Sequence, residues 1–283
     1  MARAIANRGP LPGFRQDRKS GMLAHMESDR TGPAIEFRDV SYQANGANIL
    51  FDLNLMVARG ETLVLLGRSG SGKTTTLKLV NRLIVPTSGD VMVNGASNGQ
   101  VDLIRLRREI GYVIQEGGLF PHFTVDRNIG LVPKIQGWDE DRIHLRVQEL
   151  LKLVGLEGAI GIRYPHQLSG GQRQRVGVAR ALAADPEILL MDEPFGALDP
   201  LTRDDLQREF LALQQRLHKT VVFVTHDLRE ALRLASRIAL MEAGKLVTAL
   251  TPEEFLKSGD PWVLKYVRAF GEGAASMVNR GRS

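Results

Sequence analysis

The chain has 283 residues, 43% of them apolar and 24% charged, no cysteine and a formal net charge of +5. That length suits one large α/β domain or two small ones, and the missing cysteines exclude a disulfide framework and a Cys-ligated zinc site. No apolar run approaches the roughly 18–20 residues needed to cross a bilayer as a helix. The charge is unevenly placed: residues 1–30 hold Arg3, Arg8, Arg15, Arg18, Lys19 and Arg30 against Asp17, Glu27 and Asp29, and residues 272–283 hold Arg280 and Arg282 against Glu272. The remainder is close to neutral, so the basic balance does not argue for a nucleic-acid partner.

Residues 1–33 are rich in Gly, Pro and Arg and read as a disordered basic tail without the apolar segment of a signal peptide. Ile35 and Phe37 lead to a turn at Asn45 and Gly46, which predicts a short antiparallel edge strand and hairpin. Residues 62–66 are an apolar strand after Thr62, followed at once by a glycine loop and a helix over 74–83. Val91 and Val93 before Asn94 and Gly95 give a second hairpin signal, and residues 110–114 read as a strand leading to Gln115. The pattern then changes. Val147, Leu150, Leu151 and Val154 recur at helical spacing and Ser169 suits an N-cap, so a mostly helical subdomain is expected over about 116–184. Strand–helix alternation returns with a buried strand at 188–191 and a helix opened by Pro200 that buries Leu206, Phe210, Leu213 and Leu217. A strand at 221–225 follows, with His226 at its end. Thr251, Pro252 and Glu254 have the spacing of a capping box with proline at the first helical position, and residues 272–283 read as a flexible tail.

Gly67, Arg68, Ser69, Gly70, Ser71, Gly72, Lys73 and Thr74 spell a phosphate-binding loop in the strand-to-helix context that its mechanism needs. The glycines let backbone N–H groups point inward, and the helix start, with Thr74 and Thr75, adds partial positive charge. Lys73 can reach the β- and γ-phosphates of a nucleotide, and the Thr74 hydroxyl can ligate Mg²⁺. The strand at 188–191 ends in Asp192 and Glu193. Taken alone, such acids are as readily turn or cap residues. Beside a phosphate loop, Asp192 is placed to hold Mg²⁺ through water and Glu193 to polarise an attacking water as general base. Leu168, Ser169, Gly170, Gly171 and Gln172 open a helix whose first-turn N–H groups and hydroxyl can meet an anion.

From residue 34 to about 270 the chain resembles the nucleotide-binding subunits of ATP-binding-cassette (ABC) transporters. The motifs stand in that family's order: the phosphate loop, Gln115, residues 168–172, Asp192 with Glu193, then Ala197, Leu198 and Asp199, and finally His226. The resemblance implies an α/β P-loop NTPase core with an antiparallel β subdomain and the helical subdomain, and ATP with Mg²⁺ as ligands. It implies that Tyr42 stacks on adenine and that Gln115 touches Mg²⁺ and the attacking water. Ser169, Gly170, Gly171 and Gln172 then meet the nucleotide held by a second copy, Asp199 lies at the seam between copies, and His226 contacts the γ-phosphate. ATP is thus expected between two copies of this domain, or between it and a similar ATPase subunit.

Without a spanning segment, the membrane part is expected on separate permease subunits, with this chain peripheral on the cytoplasmic face of the inner membrane. Three strings, 81–89, 111–122 and 191–200, resemble the ATPases of glycine betaine, choline and carnitine importers. Importers of amino acids, polyamines and anions share parts of them. Many osmolyte-importer ATPases carry paired C-terminal regulatory domains; no such pair follows the last predicted helix in this sequence, so the resemblance leaves osmotic gating open. Recognition of quaternary cations uses aromatic cages. With Trp138 and Trp262 the only tryptophans, that task is expected on an extracytoplasmic binding protein or the permease. Soluble clamp ATPases and small-molecule P-loop kinases share some of these motifs. The interval from Gln115 to Leu168 fits a helical subdomain and not a clamp's long coiled coil, and a kinase has no use for residues 168–172.

Overall fold

The computed structural model describes residues 32–115, 118–196 and 198–270. Of the expected 1–33 tail, residues 1–31 lie outside the described residues, as do all of the 272–283 tail and Glu116, Gly117, Ala197 and Gly271.

Two sheets share the work. The first is antiparallel: β1 (Ile35–Ala44), β2 (Ala47–Val57), β4 (Ser88–Val93) and β5 (Ala96–Ser97), ordered β2-β1-β4-β5. Its tight turns sit at Asn45 with Gly46 and at Asn94 with Gly95, all with positive φ, as two-residue hairpins prefer. The second sheet is ordered β10-β9-β3-β8-β7-β6 and contains β3 (Thr62–Gly67), β6 (Ile110–Val113), β7 (Ile188–Asp192), β8 (Thr220–Thr225), β9 (Arg237–Glu242) and β10 (Lys245–Leu250). Its pairs are parallel except β9 with β10. Every residue of β3, β7 and β8 is buried, so these strands read as continuous apolar runs.

Side-chain alternation divides the core in two. Val64, Leu66, Leu189, Met191, Val221 and Phe223 face the cluster that includes the helical subdomain. Leu63, Leu65, Ile188, Leu190, Val222 and Val224 face the cluster beneath the antiparallel sheet. The helical subdomain comprises α3 (Val125–Ile135), α4 (Glu140–Leu153), two 3₁₀ turns (Gly158–Ile162 and Pro165–Gln167) and α5 (Gly170–Leu182), after α1 (Lys73–Val80) and α2 (Leu103–Glu109) earlier in the chain. The remaining helices are α6 (Pro200–Leu217), α7 (Leu228–Leu234), α8 (Pro252–Lys257) and α9 (Pro261–Phe270). Thr251 forms the expected capping box on α8.

Several expectations are corrected in detail. The strand at Ile35 is not an edge: β1 pairs with both β2 and β4 and lies inside its sheet. The helix after the glycine loop starts at Lys73 and stops at Val80, because Arg82 turns into the left-handed region (φ 51) and leaves Leu83 exposed. Leu217 is only partly buried where α6 ends, packed against the core rather than in it.

The loop ahead of α3 is built on one amide. Buried Asn128 accepts from the Phe120 N–H at 2.8 Å and donates to the carbonyls of Phe120, Phe123 and Thr124 at 3.1, 3.1 and 3.0 Å. Asn128→Leu keeps the volume but strands these backbone groups, and the expected loss is about 2–3 kcal/mol in urea denaturation. Faster proteolysis between residues 118 and 124 should accompany it, and unchanged stability would show that water replaces the amide.

Candidate functional site

The parallel strands all deliver their C-terminal ends to one edge. Leu66 pairs with Thr225, Gly67 with Met241, Asp192 with Val224, and Val113 with Met191. The glycine loop leaves β3 at this edge. A side chain on Gly67 would place its Cβ 2.3 Å from the Met241 carbonyl oxygen, and Gly72 has φ +99 with Leu50 Cδ2 only 2.5 Å from a Cβ position. Glycine is required at both places for the loop to fit between β9 and β2. Arg68, Ser69 and Gly70 are exposed at its tip, while Ser71 is buried and its Oγ has no hydrogen-bond partner.

Lys73 is only 5% exposed, and its Nζ donates to the carbonyls of Gly67 and Arg68, both at 2.8 Å. Burial holds its pKa below the ordinary lysine range, against the pull of Glu193, Asp192 and Glu242. Thr74, with Thr75 beside it in the first turn of α1, donates its hydroxyl to Asp192 Oδ1 at 2.9 Å. Burial raises the Asp192 pKa and the nearby Glu193 adds to the rise, while hydrogen bonds from Thr74 and Tyr112 work against it. The Tyr112 hydroxyl, whose own pKa is pushed up chiefly by burial, was not singled out from sequence. Its signal is faint, a phenol in a short apolar strand.

Glu193 leaves β7 with φ 43, its N–H bonded to the Val224 carbonyl at 3.1 Å. A left-handed conformation at a non-glycine residue turns the chain off the strand and aims the carboxylate away from it. His226 leaves the end of β8, and its Nδ1 lies 3.4 Å from Glu193 Oε2. Gln115 is exposed just beyond β6, the strand beside β7. Tyr42 is half-buried, packs against the core under the antiparallel sheet and pairs with Leu50 of β2, the residue that lies against Gly72.

The other expected contacts form a separate surface. Ser169 caps α5: its Oγ accepts from the Gln172 N–H at 3.2 Å, and Gln172 Oε1 accepts from the Ser169 N–H at 3.0 Å. The Gln172 carbonyl is therefore used by the cap. Ser169 and Gly170 are exposed, whereas Gly171 is buried, and a Cβ there would meet Thr202 Cγ2 at 2.6 Å. Asp199 caps α6 by accepting from the Thr202 N–H at 3.0 Å, and bonds from Thr202 hold its carboxyl below the usual range.

Among the described residues no group of three or more His, Cys, Asp or Glu side chains could hold a metal ion by itself. The donor set still fits Mg²⁺, which takes one or two protein oxygens and completes its shell with water and phosphate. Thr74 and Asp192 already converge at the end of the glycine loop.

A parallel sheet with a glycine loop, a buried lysine, a Thr–Asp pair and an acid at its strand ends defines a P-loop nucleotide-binding fold. The chain belongs to the ABC transporter family, which it matches over residues 50–196. It is similar to the choline transport ATP-binding protein OpuBA of Bacillus subtilis, with 52% identity over 223 residues, 78% of this chain and 58% of that one. It is also similar to the glycine betaine uptake system ATP-binding protein YehX of Escherichia coli K12, at 52% over 218 residues, 77% of this chain and 71% of that one. The dimeric post-hydrolysis structure of the ATP-binding cassette MJ0796 bound to ADP and Pi superimposes with a TM-score of 0.70 at 33% identity, covering 77% of this chain and 98% of that one. The chain spans a little over half the length of several of the relatives it matches. Among its described residues no helix is long and apolar enough to cross a membrane.

The electrostatics set a stability test. A carboxyl whose pKa is higher folded than unfolded makes its ionised form a net cost to the fold. For Asp192 that cost is absent below the ordinary carboxylate value of about 4, grows as pH rises toward the folded pKa, and is full above it. Asp192→Asn should therefore raise the melting temperature of the nucleotide-free chain at pH 7, with the difference closing as pH falls below about 4. Adding ATP with Mg²⁺ should reverse the order. Melting curves at several pH values check both; a nucleotide-free variant that is less stable at pH 7 contradicts the assignment.

Proposed function

We propose that this chain is the ATP-hydrolysing subunit of an importer for a quaternary ammonium osmolyte of the glycine betaine, choline or carnitine kind. It works on the cytoplasmic face of the inner membrane as a pair of copies, or with a similar ATPase subunit. The cargo passes through separate permease subunits and comes from an extracytoplasmic binding protein. The observation that carries the reading is the meeting of Lys73, the Thr74–Asp192 pair and the Glu193–His226 pair at one sheet edge. The relatives named above support the cargo class.

On this reading the Lys73 ammonium exchanges its two backbone carbonyls for the β- and γ-phosphates, a charge-assisted contact. Thr74, Asp192 and Gln115 would hold Mg²⁺, which when bound would supply charge neutralisation at the phosphate oxygens. Glu193 takes a proton from a water whose oxygen bonds to the γ-phosphorus as the β–γ bridging bond breaks, giving ADP and phosphate. His226, beside Glu193, contacts the γ-phosphate. Tyr42 stacks on the adenine. The exposed cap of Ser169 and Gly170 meets the γ-phosphate held by the second copy, with Asp199 at the seam. Closure on ATP and opening after hydrolysis are passed to the permease near residues 115–123.

Glu193→Gln keeps the shape and removes the basicity. The expected outcome is normal ATP binding, a nucleotide-stabilised dimer and turnover reduced roughly a hundredfold or more. Turnover near the wild-type rate would remove Glu193 from the role of base. In vesicles carrying the cognate permease and binding subunits, glycine betaine or choline should stimulate ATP hydrolysis and Glu193→Gln should abolish uptake. Stimulation by an amino acid, a polyamine or an inorganic anion instead would keep the ATPase and replace the cargo.

Lys73→Ala and Ser169→Arg should fail differently. The first weakens ATP binding to a single copy, and the second leaves that binding intact and blocks closure. Equal loss of binding in both variants, measured with a fluorescent nucleotide, would contradict a site shared between copies.

A further inference from the structure

Two short stretches follow the strands that carry the Glu193–His226 pair: Leu198 with Asp199 after β7, and His226 with Asp227 after β8. Each runs into a helix capped by an aspartate, Asp199 on α6 and Asp227 on α7. Arg203, in the first turn of α6, reaches both. Its Nη2 donates to the Leu198 carbonyl at 3.1 Å, and its Nη1 stands 4.0 Å from Asp227 Oδ2. The first contact is a hydrogen bond and the second a loose ion pair. The Arg203 Nε is buried and has no hydrogen-bond partner, which is unfavourable for a group that carries its charge permanently.

The floor of the second loop is fixed from the same helix. Glu230, 5% exposed, accepts from the Thr225 hydroxyl at 2.6 Å and from Gln207 Nε2 of α6 at 3.2 Å. The Thr225 Oγ accepts in turn from the Asp227 N–H at 3.0 Å. The residues on either side of His226 are thus tied to α6, Thr225 through Glu230 and Gln207, and Asp227 through Arg203. Among these ties the Arg203–Asp227 pair is the long one, and it has room to shorten.

We infer that Arg203 is a positioning residue that fastens the Leu198–Asp199 loop to the His226 loop, so that a shift in one is passed to the other. The inference rests on the proposed roles of His226 at the γ-phosphate and Asp199 at the seam. Its bland counterpart is an ordinary surface ion pair, which contributes little and couples nothing.

The test uses the full chain with Arg203→Gln, Arg203→Lys, Asp227→Asn and the double variant Arg203→Gln/Asp227→Asn. Asparagine is a good N-cap, so the helix start survives the Asp227 change. In the nucleotide-free protein, Asp227→Asn should speed hydrogen exchange in the 193–203 segment as well as in its own 225–230 segment. In ATPase assays Arg203→Gln should lower kcat roughly tenfold, the scale of one charge-assisted bond, with KM within about twofold. Arg203→Lys should recover part of the loss, and the double variant should be no slower than the slower single one. Exchange that changes only within residues 225–230, effects on kcat that multiply, or kcat falling in step with nucleotide affinity and melting temperature would each overturn the coupling. A wild-type chain that fails to hydrolyse ATP would count against the proposed function, while the exchange measurement would still decide whether the loops are joined.

Discussion

The Lys73 ammonium lies out of water at the end of β3, bonded to the Gly67 and Arg68 carbonyls, with Glu193, Asp192 and Glu242 near enough to favour its charge. Burying a cation is expensive unless the surroundings return negative potential. That requirement explains where the neighbouring strands stop. β7 ends in Asp192, and β9 ends in Glu242, whose Oε2 is itself buried without a hydrogen-bond partner. Parallel register holds these ends level with the loop. A slip of one residue would turn every side chain of a strand to the opposite face and take its terminal acid out of reach.

The central strands β3, β7 and β8 are held by burial on both faces, whereas the helix starts around the site are held by caps. Ser169, Asp199 and Asp227 each occupy the N-cap of a following helix. A capped turn has a defined shape but little apolar contact, which places such segments among the parts of a fold that open at low free energy. Rigid strand ends thus fix the lysine and the Thr74–Asp192 pair, while the groups proposed to sense the γ-phosphate, Ser169 and His226, sit beside capped helix starts. In the Ser169 capping box the serine hydroxyl and the glutamine carbonyl are already engaged with each other's backbone. The first-turn N–H groups of Gly170 and Gly171 have no intrahelical partner, and only Gly170 is exposed.

Much of the fold was legible in the sequence because its signals are local. An apolar run entering a glycine loop, an N-cap three residues before a glutamine, and Asn–Gly pairs between alternating strands each state their own geometry. What was not legible depends on partners distant in the chain. The strand at Ile35 reads as an edge because nothing near it announces β4, about fifty residues on, the range at which pairing is fixed by tertiary packing and not propensity. The helix after the loop reads as reaching Leu83, because an apolar residue at the right period hides the left-handed turn at Arg82. The site followed the same division. Lys73, Thr74, Asp192 and Glu193 come from contiguous motifs. Tyr112 meets Asp192, and Arg203 meets Leu198 and Asp227, contacts that only the folded chain creates.

The separation between the lysine edge and the Ser169 surface is bridged at one close contact. Gly171 lies against Thr202, with no space for a side chain between them, and the Thr202 N–H bonds to Asp199. Arg203 is the next residue, and it reaches Leu198 and Asp227 beside His226. The start of α5, the first turn of α6 and the end of β8 are therefore in continuous contact. Spatial continuity alone does not establish energetic coupling. It does set the close approach of the two helices: a Cβ at position 171 would lie 2.6 Å from the Thr202 methyl, so either that side chain turns away or the start of α5 shifts from the first turn of α6.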